Sequence, residues 1–469
     1  MTSIINNFDN NHSDENNEAA VLRGVAEAVE TPAVAVGAAD AELQPPSQQP
    51  SEPPPHSARE ESFDYVRRMG RGINLGNGLS APQEGDWQPA VDESYFDDVA
   101  AAGFTSVRIP VRWDQHTTAE APYTVDPEWL ARVAQVAQWA LSRGLVTILN
   151  AHGEHWLIQE CSLDMEVYPR PELEARFHAI WRQVAVHFSE HPDDLCFEIL
   201  NEPYFCMSKP VVDKINRDVL AIIRESNPDR HVLATGGGKK SYESISQLCQ
   251  SLFESDPKVL GWFHYYNPFP FTKFTPGSGK PNARHTWGGA KDEALVRHHF
   301  DEVKAWSDAN GVPVLLGEFG ANGTCEQASR EKYHSFIARA ALSRGFAFTV
   351  WCDGFGEDAP EKKSVHLRKA GAWDEPIRDA LLATFEPEPQ GIGAVASGAA
   401  GGKSGSGGGR KMGVANEVEV IRGRLVNMKA KSDPLHATLV RWDNGKVGIL
   451  VGEQGQEQEQ EQEQEQEQE

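Results

Sequence analysis

Residues 126–152 read DPEWLARVAQVAQWALSRGLVTILNAH, and this stretch sets the architecture. Asp126-Pro127 is a helix start, an acceptor side chain at the cap followed by a proline that needs no N–H partner in the first turn. Leu130, Val133, Ala137, Ala140 and Leu141 then recur at helical spacing, and Gly144 stops the run. Val146–His152 follows at once as a short apolar run of strand character that ends on a histidine. A helix that feeds a buried strand within two residues is half of a parallel βαβ repeat.

The same alternation extends outward from there. Strand-like runs fall at Gly72–Asn77, Ser106–Val111, Val146–His152, Leu195–Pro203, His231–Thr235, Val259–Tyr266, Val312–Phe319 and Phe346–Cys352. Helical patterns lie between them, and Gly103 and Gly345 close two of these helices as Gly144 does. Eight strands in about 320 residues predict a closed (β/α)8 TIM barrel over 61–386, rather than an open doubly wound sheet. No Gly-x-Gly-x-x-Gly enters a helix after the first run, which weighs against a dinucleotide site. Gly236-Gly237-Gly238-Lys239-Lys240-Ser241 resembles a phosphate loop only superficially. Leu233 stands where its first glycine belongs and Lys240 where a hydroxyl residue belongs, so a loop leaving strand five is expected.

The flanks differ in composition. Residues 1–60 are rich in Asn, Glu, Ala and Pro and read as a disordered extension. Residues 387–413 read as a Gly/Ser linker, and 453–469 as a Gln/Glu tail. Between linker and tail, 414–452 holds strand-like pieces around an Asn444-Gly445 turn: a small β-rich segment, or an appendage docked or left unfolded. The two charged ends carry −16 of the formal −25, and the rest is ordinary for a soluble enzyme. That balance argues against nucleic acid, which needs a basic surface. No run of 18 apolar residues exists, so no membrane span is expected. The amino terminus lacks the basic and apolar regions of an export signal, so location stays open, and a monomer is expected. Six cysteines without a C-x-x-C pair suggest neither a zinc ribbon nor a disulfide scaffold. Cys196 and Cys352 read as core thiols, and a Cys161–Cys206 pairing stays open.

In a barrel of this kind the chemistry gathers at the carboxyl ends of the strands. Those ends carry Arg108, His152, Asn201-Glu202, His264 with Tyr266, Glu318 and Trp351. Two carboxylates on strands four and seven suit glycoside cleavage, where one attacks the anomeric carbon and the other moves a proton. Arg108 can hold a neighbouring carboxylate ionised and Tyr266 can donate to it. Glu198 lies four residues below Glu202 and reads as a paired structural acid. Glu154 with His152 and His155 has no third ligand at a zinc spacing, so no metal is expected. Trp87, Trp113, Trp156, Trp262 and Trp287 are sugar platforms or core residues alike, and Trp442 alone decides nothing.

The segments RGINLGN, SVRIPVRW, ILNAH, FEILNEP, FHYYNP and VLLGEFG, in this order over about residues 65–385, resemble family 5 of the glycoside hydrolases, the cellulase family. The resemblance implies a retaining β-glycosidase that needs no cofactor, with Glu202 as acid/base and Glu318 as nucleophile. It further implies Asn201 on the sugar 2-hydroxyl, Arg108, His152, His264 and Tyr266 as supporting groups, and Trp351 as an aromatic platform. One departure stands out: many relatives have a His-His pair where this chain has His152-Gly153. The implied substrate is a β-linked glucan, cellulose first. β-Mannan, β-1,3-glucan and small β-glucosides stay open, and so does a sugar-binding barrel without turnover.

Overall fold

The computed structural model describes residues 56–157, 168–205, 207–279, 282–355, 359, 362–385, 420–422, 437–441 and 447–451. Contacts divide the chain into two units, 1–389 and 390–469.

The first unit is a barrel of eight strands: β1 (Arg71–Asn74), β2 (Ser106–Val111), β3 (Val146–Ala151), β4 (Leu195–Glu198), β5 (Val232–Ala234), β6 (Val259–Tyr265), β7 (Val314–Phe319) and β8 (Ala347–Val350). Each pairs in parallel with the next, and β8 closes on β1, so no strand edge stays open. This is the expected (β/α)8 fold. Several strands are shorter than their apolar runs. β4 stops at Glu198, for instance, leaving Asn201 and Glu202 in the exit loop rather than on the strand.

The helices are α1 (His56–Met69), α2 (Ser94–Ala102), α3 (Pro127–Leu141), α4 (Pro171–His187), α5 (Lys209–Arg224), α6 (Gln250–Ser255), α7 (Phe269–Thr272), α8 (Ala290–Asn310), α9 (Gln327–Leu342) and α10 (Glu375–Leu382). Asp126 caps α3 as expected, accepting from the Glu128 amide at 2.9 Å. α2 ends on Gly103 at φ 102°, the left-handed region that glycine enters freely. A short hairpin, β9 (His366–Leu367) with β10 (Ala372–Trp373), precedes α10.

Inside the barrel the side chains are layered. Val146, Ile148, Cys196, Leu233, Leu260, Trp262, Leu315 and Ala347 form a lower apolar plug, and Tyr65, Val66 and Met69 of α1 join it from below. Arg59 donates to the carbonyls of Phe253 and Val259, and Ser62 to that of Pro257, which fixes α1 across the bottom. Tyr65 stacks on His231 with centroids 3.9 Å apart. Burial pushes the His231 imidazole down to about 3, so it stays neutral. The boundary expected at residue 60 therefore falls inside α1, whose first turns contribute Arg59.

Cys196 and Cys352 are buried free thiols, as are Cys249 and Cys325; Cys161 and Cys206 lie outside the described residues. Trp113, Trp262 and Trp287 are core residues, whereas Trp87 is exposed. The glycine run after β5 is an exit loop, with Gly237 pressed against Val212 and the Met207 carbonyl.

In the second unit, β11 (Val420–Arg422), β12 (Ala437–Arg441) and β13 (Val447–Val451) pair as an antiparallel sheet. The Asn444-Gly445 turn between β12 and β13, Trp442, the linker and the tail lie outside the described residues.

Candidate active site

Above the apolar plug the barrel interior turns polar, and Arg108 organises it. The side chain is fully buried, which penalises its charge; Glu198 and Glu318 more than offset that and raise the guanidinium above its ordinary value. All five donors are used. Nε and Nη2 grip Glu198 at 2.7 and 2.6 Å, and Nη1 reaches Glu318 Oε1 at 2.7 Å. The remaining two go to Asn74 Oδ1 and Asn201 Oδ1, each at 2.8 Å. A planar fork with every N–H committed has one orientation. Asn150 steadies Glu198 from β3 at 3.2 Å. Asn74 is held in turn by the carbonyls of Gly317 and Thr349, each at 3.0 Å.

Glu318 reaches this centre through a defect in β7. Strict alternation after the inward Leu315 would aim residue 317 inward and 318 outward. The register with β6 slips between Phe263 and His264, so that Leu316 pairs with Phe263 but Glu318 with His264. The extra residue is Gly317, and the bulge turns the carboxylate into the barrel. A side chain at Gly317 would meet His264 Nε2 at 3.0 Å, so the close passage needs glycine.

Three groups fix the carboxylate: Arg108 on Oε1, the Tyr266 hydroxyl donating to Oε2 at 2.9 Å, and His264 Nδ1 at 3.6 Å. Burial pushes the Glu318 carboxyl above the usual carboxylate range, while His264, Arg108 and the Tyr266 hydrogen bond pull it back. Burial, with Glu318 beside it, also lifts the Tyr266 phenol far above its ordinary value, so the hydroxyl remains a donor.

Glu202 sits across the gap in a different setting. It follows β4 by four residues and opens a 3-10 turn, Pro203–Phe205. Its Oε1 accepts from Tyr204 at 3.1 Å and faces His264 Nδ1 at 2.9 Å. Burial takes His264 down to about 4, so the ring facing Glu202 stays neutral. The Glu202 side chain keeps 23% of its exposure against 6% for Glu318. One oxygen of each glutamate and one His264 nitrogen lie within 4.8 Å of one another.

Trp351 lies at the mouth with its indole N–H on Asp353 at 2.8 Å, and Asn77 donates to the same oxygen at 2.9 Å. Its ring is nearly parallel to that of His152, with centroids 5.9 Å apart. All eight residues singled out in the sequence thus stand at one end of the barrel. Asn201, with its oxygen taken by Arg108, has an NH2 group with no partner among the described residues.

Asn74, Asn150 and Asp353 escaped the sequence reading. Asn74 ends β1 but lies inside the strand-like run Gly72–Asn77, and no spacing signalled it. Among the described residues, two trios have ligand atoms close enough for a cation: Glu202, His264 and Glu318, and, on the helical face, Glu174, His178 and Asp218. In the first, Arg108 already neutralises Glu318. In the second, Lys214 pairs with Glu174 and Asp218.

Comparison with known proteins agrees with this geometry. Residues 69–355 match the family model Cellulase (glycosyl hydrolase family 5). The chain is 41% identical over 333 residues to Endoglucanase H of Acetivibrio thermocellus, covering 71% of this chain and 35% of that protein. With Endoglucanase B of Paenibacillus lautus the identity is 29% over 313 residues, covering 62% and 53%. The chain thus spans between a third and about half of these relatives. Cel5A of Thermotoga maritima, solved with a mannotriose substrate, superposes with TM-score 0.61 at 29% identity, covering 68% of this chain and 100% of that one. A hyperthermophilic endo-β-1,4-glucanase solved with substrate gives TM-score 0.61 at 33% identity, covering 68% and 99%. No helix among the described residues is long and apolar enough to cross a membrane. With the family model covering more than half of its length and the two glutamates at the ends of strands four and seven, the chain belongs to glycosyl hydrolase family 5.

Proposed function

We propose that this chain hydrolyses β-1,4-linked glucan from within, with retained anomeric configuration, and that Glu318 is the nucleophile and Glu202 the acid/base. One observation carries the reading: the two carboxylates share a gap of under 4.8 Å between oxygens, yet only one of them holds a guanidinium. That separation suits double displacement, which wants carboxyl groups about 5–5.5 Å apart. In the first step Glu318 attacks the anomeric carbon while Glu202 gives its proton to the leaving oxygen. In the second, Glu202 takes a proton from water, and that water displaces Glu318 from the sugar. The nucleophile must remain an anion at the moment of attack, which favours the residue held by Arg108 and Tyr266. The acid/base must exchange protons with solvent, which favours the more exposed Glu202. Asn201 has donors to spare for the sugar 2-hydroxyl, and Trp351 offers a ring face held by Asp353. The names of the relatives favour glucan; the mannotriose complex of Thermotoga maritima Cel5A adds β-mannan to the polysaccharides to be tried.

The test is an aryl β-cellobioside with wild type, Glu202→Ala and Glu318→Ala, with and without azide. Glu318→Ala should lose more than about 10⁴-fold in kcat, and Glu202→Ala about 10²–10⁴-fold in kcat/KM on an unactivated glucan. Azide should give an α-azide with Glu318→Ala and a β-azide with Glu202→Ala. Equal background rates in all three proteins would sink the enzymatic reading, and exchanged azide configurations would exchange the roles. A fall in the viscosity of soluble cellulose ahead of reducing-end release would mark internal cleavage.

A further inference from the structure

The rim between β2 and β3 carries a cation that the mechanism above does not use. Arg112 follows β2 directly. The pairing of Val111 with Ala151 is carried one step further by the His152 amide, which donates to the Val111 carbonyl at 2.9 Å, so Arg112 stands beside His152. Its neighbour Trp113 turns outward into the core, only 3% exposed, and Arg112, on the opposite side of the backbone, shares the parity of Arg108.

The side chain lies in a space that a glycine leaves open. A Cβ at Gly153 would come within 2.9 Å of Arg112 Nε and 3.0 Å of its Cζ, and the backbone there has φ 76°. The guanidinium therefore covers the backbone where a side chain of residue 153 would start. Nε is anchored on Asp114 Oδ1 at 3.0 Å. Among the described residues neither terminal nitrogen has a partner, and the side chain is 26% exposed. The outcome is a fork of N–H donors, fixed at its stem, over Gly153 and one residue from His152, whose ring faces Trp351.

We propose that Arg112 builds a sugar subsite beside the cleavage point, its two terminal nitrogens donating to neighbouring hydroxyls of the glucose unit next to the one lying on Trp351. The inference rests on the glycosidase reading for its ligand class. A guanidinium suits this task better than an ammonium, since it presents paired donors in one plane and is weakly hydrated.

Wild type, Arg112→Ala and Arg112→Lys are to be compared on cello-oligosaccharides from trimer to hexamer. Binding of cellohexaose is measured by calorimetry in a Glu202→Gln background with and without Arg112→Ala. Charged hydrogen bonds of this kind predict a loss of about tenfold or more in kcat/KM on the hexamer, and a clearly smaller loss on the trimer. Arg112→Lys, which can keep the Asp114 contact, should recover only part of it, and cellohexaose affinity should fall by a factor like that on the hexamer. Equal losses at every length, no loss on the hexamer, or full recovery by lysine would overturn the assignment. If wild type cleaves none of the series, the glycosidase reading fails by itself. The calorimetry then still decides for Arg112, with unchanged affinity or no binding in either protein counting against it.

Discussion

The two ends of the barrel interior solve opposite problems with similar parts. Each has a buried histidine held neutral by desolvation, His231 below and His264 above. Below, the histidine is stacked under Tyr65, bonded to Ser62 and closed over by α1; nothing there needs to move or meet water. Above, two carboxylates grip one guanidinium, and a third, on His264, opens to solvent. Apolar burial stabilises the lower end at about 25 cal/mol per Å². The upper end is held by charge pairing, a costly way to fill a core, because each partner needs the other to justify its desolvation. The contrast indicates that the bottom carries the fold and the top carries the chemistry.

The comparison breaks most visibly at Arg108. Arg108→Met leaves Glu198 and Glu318 buried without their cation. It should cost about 3–5 kcal/mol in stability and most of the turnover, as read by thermal melts and initial rates on one preparation. A variant with wild-type activity would show that the polar layer is not an active centre. Arg108→Lys keeps charge but loses the fork, and should restore stability better than rate.

At the other end, Tyr65→Ala removes a fully buried ring between α1 and His231 and should cost about 3–5 kcal/mol. Below the new melting temperature kcat/KM should be unaltered. If activity fell in the folded protein, the two ends would not be separable.

The smallest effect is one of pH. Glu318 attacks as an anion, and its pKa is raised mainly by burial. The rate should therefore fall on acidification at a pH above that of an ordinary glutamate. Arg108, Glu198, Glu202, His264, Tyr266 and Lys363 are the titratable groups facing it. Glu198→Gln removes a neighbouring negative charge and frees part of the Arg108 field, both favouring the ionised form. The acid limb should move to lower pH, and movement the other way would overturn this account of the upper layer.

Much of this was legible in the residues, and the reasons for what was not are local. Period and punctuation gave the strands and helices because a barrel strand is buried on both faces and a helix on one. The two glutamates were found because strand ends converge whatever the loops do. The Gly317 bulge was not legible: alternation counts residues evenly, and the slip appears only in the pairing with Phe263 and His264 on the neighbouring strand. Asn74 belongs to a common-looking RGIN run, and its importance lies in the Arg108 oxygen contact that no spacing reveals. The first turns of α1 follow a proline-rich stretch, and composition alone assigned them to the extension. Trp262 and Trp287 show the same limit, since a tryptophan in a core and one on a sugar path have one spelling.

The Gly317 carbonyl has a bearing on how this site can be taken apart. By accepting from Asn74 and Thr349, a main-chain oxygen aligns the amide that aligns Arg108, and through it Glu318. A scan that swaps side chains one by one leaves that oxygen in place and registers residue 317 only as a clash with an imidazole. Its part in aiming the nucleophile would surface only when the peptide group itself is changed, for example by an ester in place of an amide.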